Sequence, residues 1–459
     1  MHLRSGAAGY NPATFPVPSE SLLMHPTPAR TPAWLSTWMA ASVAIFFLLM
    51  LSAPSGYSVG GGLLFLGGAA IWLATSTVRR SGAADAPGPP AAAWSREDRT
   101  LCWLLLAFFL TNAAAVLWHA DSGKYLDQGI RYALAIPVLL GLRRAHLRLD
   151  WMWAGLVLGL AGAAAVAWWQ VGHIGVPRAE GFLTSAIPFG DIALVMAFWC
   201  LMGAILPAVH RRPAWAVFLL AGALAGIYAF IASATRGGLV AVPIFAVLAA
   251  VALLRRQYLR PLLGGCAVMV AGAAIVMTAL PAGQIAEGRY ASAVAEWQAY
   301  ARDGNAANNV GSRLEAWKSA LISIPERPLL GWGHEEYDSH LQGLIETGRI
   351  HPFVGTLSNT HNNFIEIWLH QGTLGLFAFL ALLITSCWYF CRRLQSPDLT
   401  VRVLACCGAS LPAAFAAFGL TQVILGRNNG VMFFVLSLAI LWAAMRQAEA
   451  SGGVQPPLT

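Results

Sequence analysis

The stretch AWAVFLLAGALAGIYAFIASATRGGLVAVPIFAVLAAVALL, Ala214 to Leu254, sets two apolar runs around a lone arginine, and its reading decides the class of fold. Ala214 to Ala232 and Leu239 to Leu254 each approach the roughly twenty helical residues that cross a hydrocarbon core. The pattern recurs through most of the chain, and about twelve spans can be drawn. The others are Trp34 to Leu51, Val59 to Val78, Leu101 to Leu117, Ile130 to Leu142, Trp151 to Val171, Ile187 to Val209, Leu262 to Leu280, Phe364 to Phe390, Val403 to Ile424 and Val431 to Ala444. The run from Ile130 is the weakest, being short and carrying Pro137.

Composition agrees. Of 459 residues, 57% are hydrophobic and 11% charged, with a mean hydropathy of +0.60, which excludes a soluble domain of this length. Backbone that faces lipid must pair its own N–H and C=O groups, so each span is expected to be a helix. The expected fold is therefore all-α, a polytopic membrane protein. The expected divisions are a disordered tail over 1–33, nine spans over 34–280, a large loop with amphipathic helices over 281–362, three spans over 363–446 and a tail over 447–459. No cleavable signal pattern precedes the first span. All seven cysteines fall in spans or at their ends, so neither a disulfide framework nor a thiolate metal site is implied.

Basic residues accumulate in alternate connections: Arg79, Arg80, Arg96 and Arg99; Arg143, Arg144 and Arg148; Arg211 and Arg212; Arg255, Arg256 and Arg260; Arg392, Arg393 and Arg402; and Arg446. The positive-inside rule makes these cytoplasmic, with both termini inside. Most of the net charge of +8 serves this orientation, and no basic soluble patch interleaved with aromatics remains, so nucleic acid is not an expected partner.

A minority of basic residues stands in the opposite, outer connections: Lys124, Arg131, Arg178, Arg236 and Arg427, with Arg289, Arg302, Arg313, Lys318, Arg327 and Arg349 in the large loop. Any one of them could snorkel to lipid phosphates or pair with a carboxylate such as Glu180 or Asp191. Several guanidinium groups at one depth favour a bound phosphate or pyrophosphate instead. Arg236 is the sharpest case, since Gly237 and Gly238 beside it let another group approach the backbone.

The outer loop, Pro281 to Thr360, is about eighty residues long, and a connection of that size is either functional or disordered. Apolar residues at helical spacing predict ordered amphipathic helices over Ile285 to Ala301, Ser312 to Ile322 and Glu335 to Ile345. Arg313 and Trp317, four apart, share a face, so the aromatic can flank an anion held by the arginine. In PERPLLGWGHEEY, Pro325 and Pro328 stop the helix while Gly331 and Gly333 permit a tight turn. A phosphate-loop pattern is absent. His334, His340, His351 and His361 raise the question of a metal, but His334 and His340 cannot share a helical face and HExxH is missing, so no metal and no cofactor are expected.

The loop closes in SNTHNNFIEIWLHQG, Ser358 to Gly372. Ser358, Asn359 and Thr360 are good caps, which predicts a helix starting here with His361 in its first turn. The helix N-terminus and nearby arginines would then hold the imidazole neutral, as a general base requires. A histidine that merely bonds to backbone at the membrane interface would leave the same trace in the sequence.

TRGG (Thr235 to Gly238), RLEAW (Arg313 to Trp317), PLLGWG (Pro328 to Gly333) and HNNFIEIW (His361 to Trp368), in this order along about twelve spans, resemble the O-antigen ligase and polymerase superfamily of bacterial glycosyltransferases. Thr235 departs from the serine commoner before the arginine in that family. The resemblance implies a GT-C type architecture in the bacterial inner membrane with its active site facing the periplasm. It also implies an undecaprenyl pyrophosphate-linked glycan donor and a lipid A core acceptor, with membrane lipids around them. On this resemblance His361 is the base that takes a proton from the acceptor hydroxyl, and Arg236 and Arg313, joined by Arg178 and Arg427, hold the pyrophosphate, with Asn362 and Trp317 completing the binding set. The reaction implied is inverting and independent of metal. An O-antigen polymerase, a protein O-oligosaccharyltransferase and a lipid-linked glycan transporter are the competing readings. The single dominant loop favours the ligase. Charge gathered at the outer face, with only Asp191, Glu366 and His370 ionisable within spans, disfavours the transporter.

Overall fold

An apolar segment surrounded by lipid can pair its amides only within itself, and the chain responds with helices throughout. The computed structural model describes residues 31–80, 94–182, 185–206, 212–254, 256–279, 292 and 294–452, and no strand occurs among them. The tail over 1–30, the segment 285–291 of the first expected loop helix, and 453–459 lie outside the described residues.

The membrane helices, in chain order, are α1 (Ala33–Leu49), α2 (Gly56–Arg80), α3 (Arg96–Trp118), α4 (Leu126–Arg144), α5 (Leu149–Trp168), α6 (Ala186–Gly203), α7 (Pro213–Ala232), α8 (Ala241–Leu253) and α9 (Arg256–Ala279). After the loop helices α10 (Asn309–Ser323) and α11 (Glu335–Glu346) come α12 (Asn363–Cys391), α13 (Leu399–Gly419) and α14 (Asn428–Gly452). Each expected span has its helix. Nine of the described helices are long and apolar enough to cross a membrane. Helices α1 and α8 are shorter, and α4, the weakest span by sequence, carries Asp127, Arg131, Arg143, Arg144 and an internal Pro137. The protein is thus an all-α, polytopic membrane protein.

Two junctions depart from simple spans. Helix α5 runs on into a wider π turn, Trp169–Ile174, and the helix expected from Leu239 opens as a 3-10 turn, Gly237–Val240, before α8.

Helices α6, α13 and α14 are the centre, with most of their apolar length buried, whereas α9 lies at the rim. Helix α13 packs on α12, α14 and α6, and α7 joins α6 to α5 and α9. The aromatic core is pinned by polar bonds at chosen points: the buried Trp199 stacks on Phe433 and donates its indole N–H to Ser410 Oγ at 2.9 Å.

The arginines at the C-terminal ends of α4, α12 and α14 meet the N-terminal end of α3, away from the large loop. There Asp98 and Arg143, both buried, form an ion pair at 3.1 Å, and Trp442 Nε1–H donates to Asp98 Oδ1 at 2.7 Å. Beside it Arg393 bridges Glu97 and Glu449, and Glu449 also takes Arg446.

A buried pair deprived of one partner strands a charge away from water. Asp98→Ala is expected to cost roughly 3–5 kcal/mol, read as a lower unfolding temperature of the detergent-solubilised protein, while the double variant Asp98→Leu/Arg143→Met recovers much of the loss. An unchanged midpoint in Asp98→Ala would remove this pair from the stabilising set.

Candidate active site

The site is assembled at the loop end, and its foundation is a broken helix. Within α12, Gly372 has φ 65° and ψ −167°, a conformation essentially restricted to glycine. The break frees carbonyls before it and amides after it, which a buried helix cannot leave unpaired. The turn Pro328–Gly333 fills the gap. Trp332 N–H donates to Leu369 O at 2.8 Å and Gly333 N–H to His370 O at 3.2 Å, while Thr373 N–H donates to Pro328 O at 2.8 Å and Leu374 N–H to Leu329 O at 3.3 Å. Gly331 and Gly333 take the positive φ values that the sequence anticipated for a tight turn. A Cβ on Gly331 would stand 2.5 Å from Leu369 O, and one on Gly372 would overlap the Leu329 carbonyl.

This interlock seats the loop helices. Ala316, Ala320, Trp332, Tyr337, Leu341 and Leu344 share a small apolar core with Leu369 of α12. Asp121, from the α3–α4 connection, caps α11 from outside by accepting from the amides of His334 at 2.8 Å and Glu335 at 3.1 Å.

His361 stands at the mouth of α12, held from several sides. Its backbone has φ 55°, and its N–H donates to Asn359 Oδ1 at 3.0 Å. Before it, Thr360 donates from both N–H and Oγ1–H to Glu366 Oε2 at 2.8 Å and accepts Trp317 Nε1–H on its carbonyl at 2.8 Å. After it, Asn362 caps the helix, its Oδ1 accepting from Phe364 and Ile365 and its Nδ2 donating to Leu420 O. The expected place of His361 in the first turn is therefore corrected. Asn362 is the cap, and His361 lies one residue outside in a left-handed conformation.

His361 Nδ1 lies 2.7 Å from Gln422 Oε1. A carbonyl oxygen only accepts, so Nδ1 carries the proton and Nε2 the lone pair. Burial pushes the imidazole below its ordinary value, opposed by the Gln422 bond and reinforced by the charges of Arg313 and Arg427. The ring is accordingly neutral at pH 7. Burial, rather than the helix terminus, is the main cause.

Arg313 and His361 line one cleft of 310 Å³, together with Asn308, Asn309, Phe353 and Leu357. Arg427 ends the short connection that also carries Gln422. Arg236 follows Thr235, whose Oγ1–H donates to Ala186 O at 3.2 Å, and precedes two glycines packed too closely for side chains. A Cβ on Gly237 would overlap Thr421, the neighbour of Gln422, and one on Gly238 would stand 2.7 Å from the buried Asp191 Oδ1. Arg178 Nε–H donates to Ser233 O at 2.9 Å, tying it to the same turn. Of the four arginines singled out in the sequence, Arg313 and Arg427 act on His361 directly, whereas Arg236 and Arg178 stand on a turn whose Gly237 packs on Thr421, beside Gln422. Trp317 spends its N–H on the backbone beside His361, and Asn362 spends both polar ends on positioning.

The histidines considered for a metal go separate ways. His340 stacks on Trp332, His351 Nδ1 accepts from the Phe353 amide, and His334 is sandwiched between Tyr125 and His370 at 3.9 and 4.1 Å. Among the described residues no group of three or more His, Cys, Asp or Glu side chains is arranged to hold a metal ion. Gln422 was missed by the sequence reading. The trace it leaves is a lone amide in a mostly apolar stretch, three positions past the end of α13 and five before Arg427.

Residues 218–380 match the family model described as O-Antigen ligase, a segment containing Arg236, Arg313, Trp317 and His361, and this bears out the resemblance drawn from the motifs. The chain is also 22% identical over 396 residues to a Haemophilus influenzae protein described as an uncharacterized protein, covering 85% of this chain and 94% of that one.

Two outcomes are expected. Gly372→Ala costs about 1–3 kcal/mol from backbone strain alone and dislodges the turn, read as a lower unfolding temperature and faster tryptic cleavage after Lys318 and Arg349; no change in either would refute the interlock. His334 is pushed down to about 2, by burial first and by His370 next, so the unfolded chain binds the extra proton. Its contribution is complete above pH 6.5 and is lost as pH falls from there towards 2. His334→Phe should flatten that part of the stability–pH curve, and identical curves would exclude His334 as the source.

Proposed function

Starting from the O-Antigen ligase match over residues 218–380, we propose that the chain is a bacterial inner-membrane glycosyltransferase that moves a glycan from undecaprenyl pyrophosphate to a sugar hydroxyl of lipid A core. The observation that carries the reading is the cleft shared by Arg313 and His361, with the imidazole neutral and its tautomer set by Gln422. The meeting of Arg143, Arg393 and Arg446 at the other ends of these helices supports placing this cleft on the periplasmic side with both termini cytoplasmic.

The acceptor hydroxyl gives its proton to His361 Nε2 as its oxygen bonds to the anomeric carbon. The bond from that carbon to the pyrophosphate oxygen breaks, and its electron pair leaves with the pyrophosphate. Arg313, with Arg236, Arg178 and Arg427, stabilises the negative charge that grows on the leaving group. Since the oxygen enters as the pyrophosphate departs, the anomeric configuration inverts. Trp317 and Asn362 serve by fixing the backbone on either side of His361.

Purified protein given lipid-linked glycan together with lipid A core, a second lipid-linked glycan, or a peptide should extend the lipid A core; extension of the second glycan would make it a polymerase instead. His361→Ala is expected to lower transfer by about 10²–10⁴-fold without loss of fold. The neutral imidazole is the active form, so transfer by the parent protein should persist as pH falls below about 6.5, the ordinary histidine value. An acid limb at or above that value, or full transfer by His361→Ala, would rule out this base.

A further inference from the structure

Glu366, in the first turn of α12, lines both a cavity of 340 Å³ and one of 410 Å³, together with Tyr125, His334, Asn359 and His370. Other charged groups line these cavities, Lys124 and Arg427 in the first and Asp338 in the second. A carboxylate in such company could meet a ligand, but both of its oxygens are engaged within the chain. Oε2 accepts from Thr360 N–H and from Thr360 Oγ1–H, each at 2.8 Å. Oε1 lies 3.5 Å from His370 Nε2, and His370 Nδ1–H donates to Gly333 O at 2.6 Å. A line of contacts thus runs from the glycine turn through His370 and Glu366 to the residue immediately before His361.

We propose that Glu366, backed by His370, is a positioning residue that holds the His361 ring against Gln422. The need for it is conformational. His361 carries φ 55°, and a residue with a side chain stays in that region only when its surroundings over-determine the backbone. The peptide that joins Thr360 to His361 is bonded at both ends, its C=O by Trp317 Nε1–H at 2.8 Å and its N–H by Asn359 Oδ1 at 3.0 Å. Glu366 anchors the peptide before it and the Thr360 side chain as well, so Thr360 cannot turn. An ionised acceptor makes these bonds stronger than a neutral one would. Without that anchor the backbone is free to leave the left-handed region, which carries Nδ1 away from Gln422 Oε1, now at 2.7 Å. That the ring so held is the base of transfer rests on the reading above; that Glu366 holds it does not.

The test compares Glu366→Gln, which keeps an oxygen within reach of Thr360 and loses the charge, with Glu366→Asp, which keeps the charge and loses the reach. Both are made in the full-length protein in detergent. Transfer from lipid-linked glycan to lipid A core is measured alongside the nitrogen-15 spectrum of histidine-labelled protein, with the His361 signal identified by its absence from His361→Gln. Glu366→Asp should lower kcat by about 10²-fold, the scale of a misplacement near 1 Å, at unchanged KM, and its His361 signal should change from the Nδ1–H tautomer to a mixture. Glu366→Gln should stay within roughly fivefold of the parent and keep the single tautomer. Parent-like kcat and tautomer in Glu366→Asp, a fall in Glu366→Gln as deep as in Glu366→Asp, or a loss carried by KM alone would overturn the proposal. Should Glu366→Asp fail to fold, Thr360→Val removes the hydroxyl donor and leaves the carboxylate, and a parent-like kcat and tautomer there would overturn it equally. If His361→Ala transfers at the full rate, the transfer reading fails, while the tautomer signals of the two Glu366 variants still decide whether the anchor exists.

Discussion

The structure at the loop end depends on one exchange of backbone hydrogen bonds. Helix α12 is broken at Gly372, and the turn from Pro328 to Gly333 supplies donors and acceptors to the groups the break exposes. Water cannot perform this service in an apolar bundle, so turn and helix are obligatory partners. Both sides need glycine, for conformation at Gly372 and for clearance at Gly331. Through this joint a long polar loop is fixed to a membrane helix, and α10 and α11 acquire a defined seat.

What the joint positions is an imidazole whose charge state is decided by competition. Burial and two neighbouring guanidinium groups disfavour the proton, and the Gln422 bond and the Glu366 carboxylate favour it. Burial is the largest influence, so the ring is neutral. Gln422 then settles which nitrogen bears the lone pair. Geometry and protonation are therefore set by different neighbours, the first by Asn359, Thr360 and Asn362 and the second by the wall around the ring.

The two ends of the bundle use charge differently. At the far end Asp98, Arg143, Glu97, Arg393, Arg446 and Glu449 pair closely, and the charges serve cohesion. At the loop end Arg313 and Arg427 act on His361 from cavity walls.

The sequence by itself determined the all-α membrane class, the position of each span, and the residue types around the site, because hydrophobic length, glycine–proline punctuation and charge asymmetry are local properties of the chain. It located the Gly-x-Gly turn at Gly331 and Gly333 and the separate arginine motifs at Arg236 and Arg313. Only the tertiary structure decided that the turn enters a break in α12, that Asn362 rather than an earlier residue caps the helix, and that Gln422, sixty-one positions along the chain, bonds His361. Pairing of this kind joins groups distant in sequence and leaves no period or motif. It exists only once the bundle has brought the connection after α13 against the mouth of α12.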